Sequence, residues 1–152
     1  MDSFKRGHLD PAEQYELLHD VGIELLGVAP EGWHEITFKV SSLITGSEND
    51  MLVHFENGEV ERRRFPHTVI SKFVELRTGM YQEGKGTWFS MVYKIVRPGK
   101  FTTEFNYDNL APYELLPDPK SFATDLNYFP RDPENIPDWL QQKLREAETE
   151  QD

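Results

Sequence analysis

Apolar and polar positions follow one another along this chain with two different periods, and each change of period marks a new element. Asp10-Pro11-Ala12-Glu13 has the composition of a helix start: a capping carboxylate, a proline at the first helical position, and a glutamate three residues after the cap to bond back to its N–H. Behind it Tyr15, Leu18, Val21 or Gly22, Leu25 and Val28 recur at helical spacing until Pro30-Glu31-Gly32 stops the run. After Trp33 the spacing shortens to strict alternation. Ile36, Phe38, Val40 and Ile44 fall on one side and Glu35, Thr37, Lys39 and Ser41 on the other, which predicts a half-buried strand.

Thr45 to Asp50 is a polar turn region, and Met51 to Phe65 carries Asn57-Gly58, a strong hairpin signal. A two-residue loop there sets Val60 opposite Phe55, Glu61 opposite His54 and Arg62 opposite Val53. Arg62 and Arg64 then share a face with Met51, Val53 and Phe55. Two resolutions stay open: the arginines lie at the sheet margin with only their stems covered, or the strand is bulged. A partner contact is a third use for them. From Pro66 to Met80 the helical period returns, with Val69, Phe73, Leu76 and Met80 in line and Ile70 and Val74 beside them.

The stretch Gly86 to Leu110 places two apolar and aromatic runs around Arg97-Pro98-Gly99-Lys100, where proline presets one turn dihedral and glycine tolerates the next. This predicts a hairpin at the centre of the sheet. Phe89, Met91, Tyr93 and Ile95 occupy one face of its first strand and Trp88, Val92 and Val96 the other, so the strand is interior in the sheet or covered on both sides. In the second strand Phe101, Phe105 and Tyr107 alternate with Thr102, Glu104 and Asn106, and a bulge at the turn decides which faces match. Beyond Leu110 the prolines Pro112, Pro117, Pro119, Pro130, Pro133 and Pro137 limit regular structure to a short helix from Lys120 to Leu126 and a last helix from Asp138 to Glu148. Tyr113, Phe122, Tyr128, Phe129 and Trp139 would anchor this wrap, and residues 145–152 form a frayed tail.

The predicted architecture is one α+β domain over 1–152: a central antiparallel sheet of about five strands packed by an N-terminal and a middle helix, with a proline- and aromatic-rich C-terminal wrap and a short terminal helix. Charge narrows the partners. The net charge is −11, which repels a nucleic-acid backbone and suits a cationic protein. It is uneven, since residues 103–152 hold twelve acids against four bases. No cysteine is present, the N-terminus has no apolar signal run, and no stretch is long enough to span a bilayer, so a cytoplasmic protein is expected.

The chain carries few residue patterns that imply chemistry. Gly79 to Gly86 has the glycines and the lysine of a phosphate-binding loop, but Gly86 replaces the magnesium-holding hydroxyl and a strand follows where the motif needs a helix. His8, His19, His34, His54 and His67 have no ligand spacing, so neither a metal nor another cofactor is expected, and His54 opposite Glu61 reads as a surface ion pair. Glu104 and Asp108, with Asp118, Asp125, Asp132 and Asp138 further on, could supply paired carboxylates for acid/base work or metal binding, but nothing in their spacing selects that over a solvated acidic surface, which is the favoured reading. Tyr107, in Asn106-Tyr107-Asp108-Asn109, is an aromatic at a strand end rimmed with acids, a pattern typical of binding anchors.

Gly86-Thr87-Trp88-Phe89-Ser90, Gly99-Lys100-Phe101 and Phe105-Asn106-Tyr107-Asp108 resemble the YezG-like immunity protein family of bacterial polymorphic toxin systems. Pro30-Glu31-Gly32-Trp33, Phe129-Pro130-Arg131-Asp132 and Ile136-Pro137-Asp138-Trp139-Leu140 extend the resemblance over most of the chain, in the form seen in high-GC Gram-positive bacteria. The resemblance implies an α+β fold and a non-catalytic antidote that binds and neutralises a cognate toxin, often a nuclease and in some relatives an NAD-hydrolysing domain. The toxin-binding residues expected on this basis and on charge are Glu104, Tyr107, Asp108, Asp132, Asp138 and Trp139. Two alternatives stand beside it. One is an accessory module of a toxin or secretion system, assembling through a sheet edge. The other is a small-ligand binder or acid/base enzyme using Glu104 and Asp108.

Overall fold

The computed structural model describes residues 5–150. They form α1 (Pro11–Leu26), β1 (Trp33–Leu43), β2 (Gly46–Phe55), β3 (Val60–Arg63), α2 (Thr68–Gly79), β4 (Ser90–Val96), β5 (Lys100–Asn106), α3 (Pro119–Tyr128), a 3-10 turn (Pro133–Asn135) and α4 (Asp138–Thr149). All the strands pair antiparallel in one sheet of order β3-β2-β1-β4-β5, giving the expected α+β class. The centre of that sheet is β1. The Gly86–Leu110 hairpin, expected there, instead supplies interior β4 and edge β5. Each hairpin adds its strands to one side of β1, which pairs with β2 along one edge and with β4 along the other.

Asp10 caps α1 as its sequence requires. Its Oδ1 accepts from Glu13 N at 2.8 Å, and Glu13 Oε1 accepts from Asp10 N at 2.9 Å. Leu18, Val21, Gly22 and Leu25 are buried against the sheet, and the helix stops at Leu26, before Pro30, so Val28 lies outside it and exposed. Gly22 admits the buried Tyr93 ring, whose hydroxyl donates to Leu18 O at 2.7 Å. Burial pushes the Tyr93 phenol far above its ordinary pKa, so it stays a donor. Beside α1, α2 buries Val69, Phe73 and Leu76, and Phe73 stacks on Phe38 of β1 with ring centroids 5.2 Å apart. Glu24 ties the two helices through Lys72 and Thr68, and both contacts, Lys72 first, hold its carboxyl below the usual range.

The β2–β3 hairpin closes with a three-residue loop in place of the expected two, which exchanges the charges on the core side of β3: Glu61 and Arg63 stand opposite Val53 and Met51 at the exposed sheet margin and bond to each other at 3.0 Å. Gly58, at φ +94°, donates to Phe55 O and closes Glu56-Asn57-Gly58, so Val60 pairs with His54, Glu61 with Val53 and Arg62 with Leu52. The one-residue slip moves Arg62 off the core face, where it meets Asp50 at 3.2 Å. The expected His54–Glu61 pair is broken by the same slip, and His54 lies opposite Glu35 on its other side. In the second hairpin Met91 pairs with Phe105, Tyr93 with Thr103 and Ile95 with Phe101, so the β5 aromatics face the main core. Phe89 does not follow Met91 onto that face. Phe89 N bonds Asn106 O while Ser90 pairs with Asn106, a bulge that sends Trp88 into the main core and Phe89 to the opposite side.

On that opposite side lies a second core of Leu43, Phe89, Ala111, Phe122 and Leu140, with Trp139 edge-on to Phe89 and Phe122. The helix expected over Lys120–Leu126 extends to Tyr128, and Asp118 caps it. The tail expected to fray is helical through Thr149 with Ala147 buried, while residues 151 and 152 fall outside the described residues.

A Cβ at Gly22 would lie 2.6 Å from Tyr93 Oη. Gly22→Ala is therefore expected to destabilise the fold by about 1–3 kcal/mol, despite alanine's better helix propensity. In a Tyr93→Phe background the same substitution should cost much less. Urea unfolding of the four proteins in this cycle checks it; equal costs in both backgrounds would show that the two residues do not touch.

Candidate functional site

Phe129-Pro130-Arg131-Asp132 leaves α3 and crosses back over Gly84-Lys85-Gly86, and Arg131 becomes the hub of the region. Its side chain is buried. Nη2 donates to Tyr107 O at 2.7 Å and Thr87 O at 3.1 Å, Nη1 donates to Asn135 O at 3.0 Å, and the guanidinium lies 4.8 Å from the Phe89 ring centre. One side chain thus joins the end of β5, the approach to β4 and the 3-10 turn. Burial lowers the Arg131 pKa, and Asp108, 3.8 Å from Nη1, acts against that shift.

The glycines of the apparent phosphate loop have a packing role here. Gly84 and Gly86 take φ of +80° and +86°. A Cβ would fall 2.5 Å from Asp132 Oδ2 at the first and 2.3 Å from Arg131 Nε at the second. Only glycine allows this close crossing.

Two concavities flank it. A cleft of about 900 Å³ is lined by Arg6, Tyr81, Tyr128, Pro130 and Asp132 among others, and Arg6 lies between the Tyr81 and Tyr128 rings, donating to Tyr128 O at 2.8 Å. A smaller one of about 390 Å³ is lined by Gln82, Lys85, Gly86, Tyr107, Asp108, Arg131 and Asn135.

Of the residues singled out from sequence, the structure draws Tyr107, Asp108 and Trp139 together. Trp139 Nε1 donates to Asp108 O at 2.8 Å, while its ring packs in the second core, so Trp139 fastens the surface from behind. Tyr107 is half-buried against the main core, and burial raises its phenol pKa, with Arg131 opposing. Asp108 and Asp132 are exposed on either side of Arg131, and Asp138 is exposed in the first turn of α4 beside Trp139. Glu104 stands apart: it is exposed opposite Val92 on β5, outside the concavity that Asp108 lines.

A buried pair went unrecognised as such in the sequence. Arg77 of α2 and Asp125 of α3 are 3% and 4% exposed and bond side by side, Nη1 to Oδ1 at 2.7 Å and Nη2 to Oδ2 at 2.8 Å. Asp125 Oδ1 also accepts from Ile44 N at 2.6 Å, and Arg77 Nε donates to Trp88 O at 2.6 Å. The signal was present. Arg77 follows Phe73 by one helical turn on the apolar stripe of α2, and Asp125 lies between Phe122 and Leu126 on that of α3, so opposite charges occupy two packing faces. Among the described residues no three His, Asp or Glu side chains are grouped to hold a metal ion.

Removing one member of the Arg77–Asp125 pair leaves the other buried and uncompensated, so Asp125→Ala is expected to cost about 3–5 kcal/mol. Arg77→Met with Asp125→Leu should recover much of that loss. Denaturant unfolding followed by near-ultraviolet circular dichroism measures both; a single variant as stable as the parent would mean that the pair is open to water.

Known protein-family models and curated proteins give no match to this chain.

Proposed function

We propose that this chain is a non-catalytic immunity protein that binds a basic toxin domain and blocks it, the role implied by its resemblance to the YezG-like immunity family. The observation that supports this most is the setting of its acids. Asp108, Asp132, Glu134 and Asp138 are exposed and carried by segments that Arg131 and Trp139 lock to the two cores. Such a surface presents negative charge on a backbone fixed before encounter, which favours steering and limits the ordering cost of association. Tyr107 contributes a half-buried aromatic beside Asp108. Glu104 belongs to the more distant β5 rim and contributes to the same field.

A cytoplasmic site of action suits this role, and no helix among the described residues is long and apolar enough to cross a membrane.

The test is co-expression with the product of the adjacent gene. A complex that co-elutes in size-exclusion chromatography, together with protection of the host from that product, is expected. Neutralising the surface with Asp108→Asn, Asp132→Asn, Glu134→Gln and Asp138→Asn should slow association roughly tenfold or more and flatten its salt dependence. Stopped-flow binding at two ionic strengths reads both effects. Failure to form a complex and failure to protect would together sink the proposal.

A further inference from the structure

The two edges of the sheet are built differently. β3 has four residues, and three of them, Glu61, Arg62 and Arg63, are charged, so it discourages further pairing. The other edge, β5, is a seven-residue strand without proline, and its charges are reduced to Lys100 at one end and Glu104 near the other. Among the described residues no strand lies beyond it, and no backbone group from Lys100 to Phe105 bonds outside the β4 ladder. The turn bond from Gly99 N to Val96 O closes the hairpin on the Val96–Lys100 pair. Lys100, Thr102 and Glu104 therefore turn their backbone groups towards β4, and Phe101, Thr103 and Phe105 turn theirs outward.

We propose that β5 pairs antiparallel with β5 of a second copy of this chain, about a two-fold axis at Thr102, so that the two five-stranded sheets become one continuous sheet. Charge selects this occupant and this register. Lys100 and Glu104, both exposed on one face, are placed symmetrically about Thr102. Antiparallel pairing there sets each Lys100 opposite Glu104 of the other copy, twice per dimer, and pairs the outward groups of Phe101 with those of Thr103. An axis at Phe101 or at Thr103 instead leaves both charges opposite uncharged residues.

The helical side of the edge agrees. Tyr15 of α1 is 59% exposed although its ring lies 5.4 Å from that of Phe101, so it covers the core side of β5 and leaves an exposed aromatic face beside that edge. The net charge of −11 on each copy opposes association. At physiological salt the screening length is about 8 Å, so the long-range repulsion is damped while the direct Lys100–Glu104 contacts persist.

Sedimentation equilibrium of the full chain from micromolar to several hundred micromolar, at physiological ionic strength, tests this. The parent is expected to dimerise. Lys100→Glu and Glu104→Lys should each weaken self-association roughly tenfold or more, since two attractive pairs become two repulsive ones. The double variant restores the pairs and should dimerise like the parent, and an equimolar mixture of the two single variants should form a mixed dimer. A parent that remains monomeric throughout overturns the proposal and leaves β5 to a strand of another protein. Dimerisation that ignores both single reversals, or a folded double variant that does not recover, overturns it equally.

Discussion

The Arg77–Asp125 pair is the contact on which the layered arrangement depends. Two charges withdrawn from water cost several kcal/mol each unless geometry and further bonds compensate. Here both oxygens of Asp125 are engaged by the guanidinium, a backbone N–H at the end of β1 joins them, and the remaining guanidinium edge is used by Trp88 O. Each of those bonds fixes an element. α2 comes from the main core, α3 from the second, Ile44 directly follows the central strand, and Trp88 lies in the segment entering β4. Stability alone does not require such a pair, because well-packed apolar side chains fill the same space at least as favourably. What it supplies is register: α3 satisfies Asp125 in one position along the sheet only.

Arg131 repeats the device closer to the surface, and the difference between the two arginines separates support from function. Arg77 meets a carboxylate and is closed on itself. Arg131 meets three carbonyls, and the nearest carboxylate, Asp108, stays in water at 3.8 Å. The hub therefore pins backbone and leaves the surrounding acids facing outward. Gly84 and Gly86 complete it by letting the chain pass within side-chain contact. The same two glycines that resemble a phosphate loop in sequence are needed for the close crossing of Arg131 and Asp132.

Local chemistry made the elements legible in the sequence, and non-local pairing hid the rest. The capping box at Asp10, the apolar face of Ile36, Phe38 and Val40 and the stripe of Val69, Phe73 and Leu76 are each determined within a few residues and stand as read, but β1 is not the half-buried strand expected, because Thr37 and Ser41 of its other face are buried as well. The centre of the sheet, the phase of β3 and the side taken by Phe89 are not. The centre is set by the long-range pairing of β4 onto β1, and the other two follow from one extra residue, in the Glu56-Asn57-Gly58 loop or at the Phe89–Ser90 bulge. A slip of one reverses every side chain that follows. The candidate site shows the same division. Tyr107 and Asp108 are recognisable as an aromatic and an acid at a strand end, but Trp139 turns inward and Arg131 becomes the hub only through contacts across 24 to 44 residues of chain.

The asymmetry of the edges follows from the composition of the two outer strands, and the one-residue slip in the β2–β3 loop decides only which charges take which face of β3. With a two-residue loop, Arg62 and Arg64 would crowd the core face of β3. The bulged loop instead puts Arg62 on the open face against Asp50 and Glu114, leaving Glu61 and Arg63 to pair with each other along the edge. In either register charge lies on both faces of β3, which disfavours any further strand there. β5 has no such crowding, because its hairpin keeps the side chains of Phe101, Thr103 and Phe105 on the core face and confines charge to two positions of opposite sign. A sheet closed on one side by its own charges and open on the other grows in one direction only, so pairing through β5 stops at two copies.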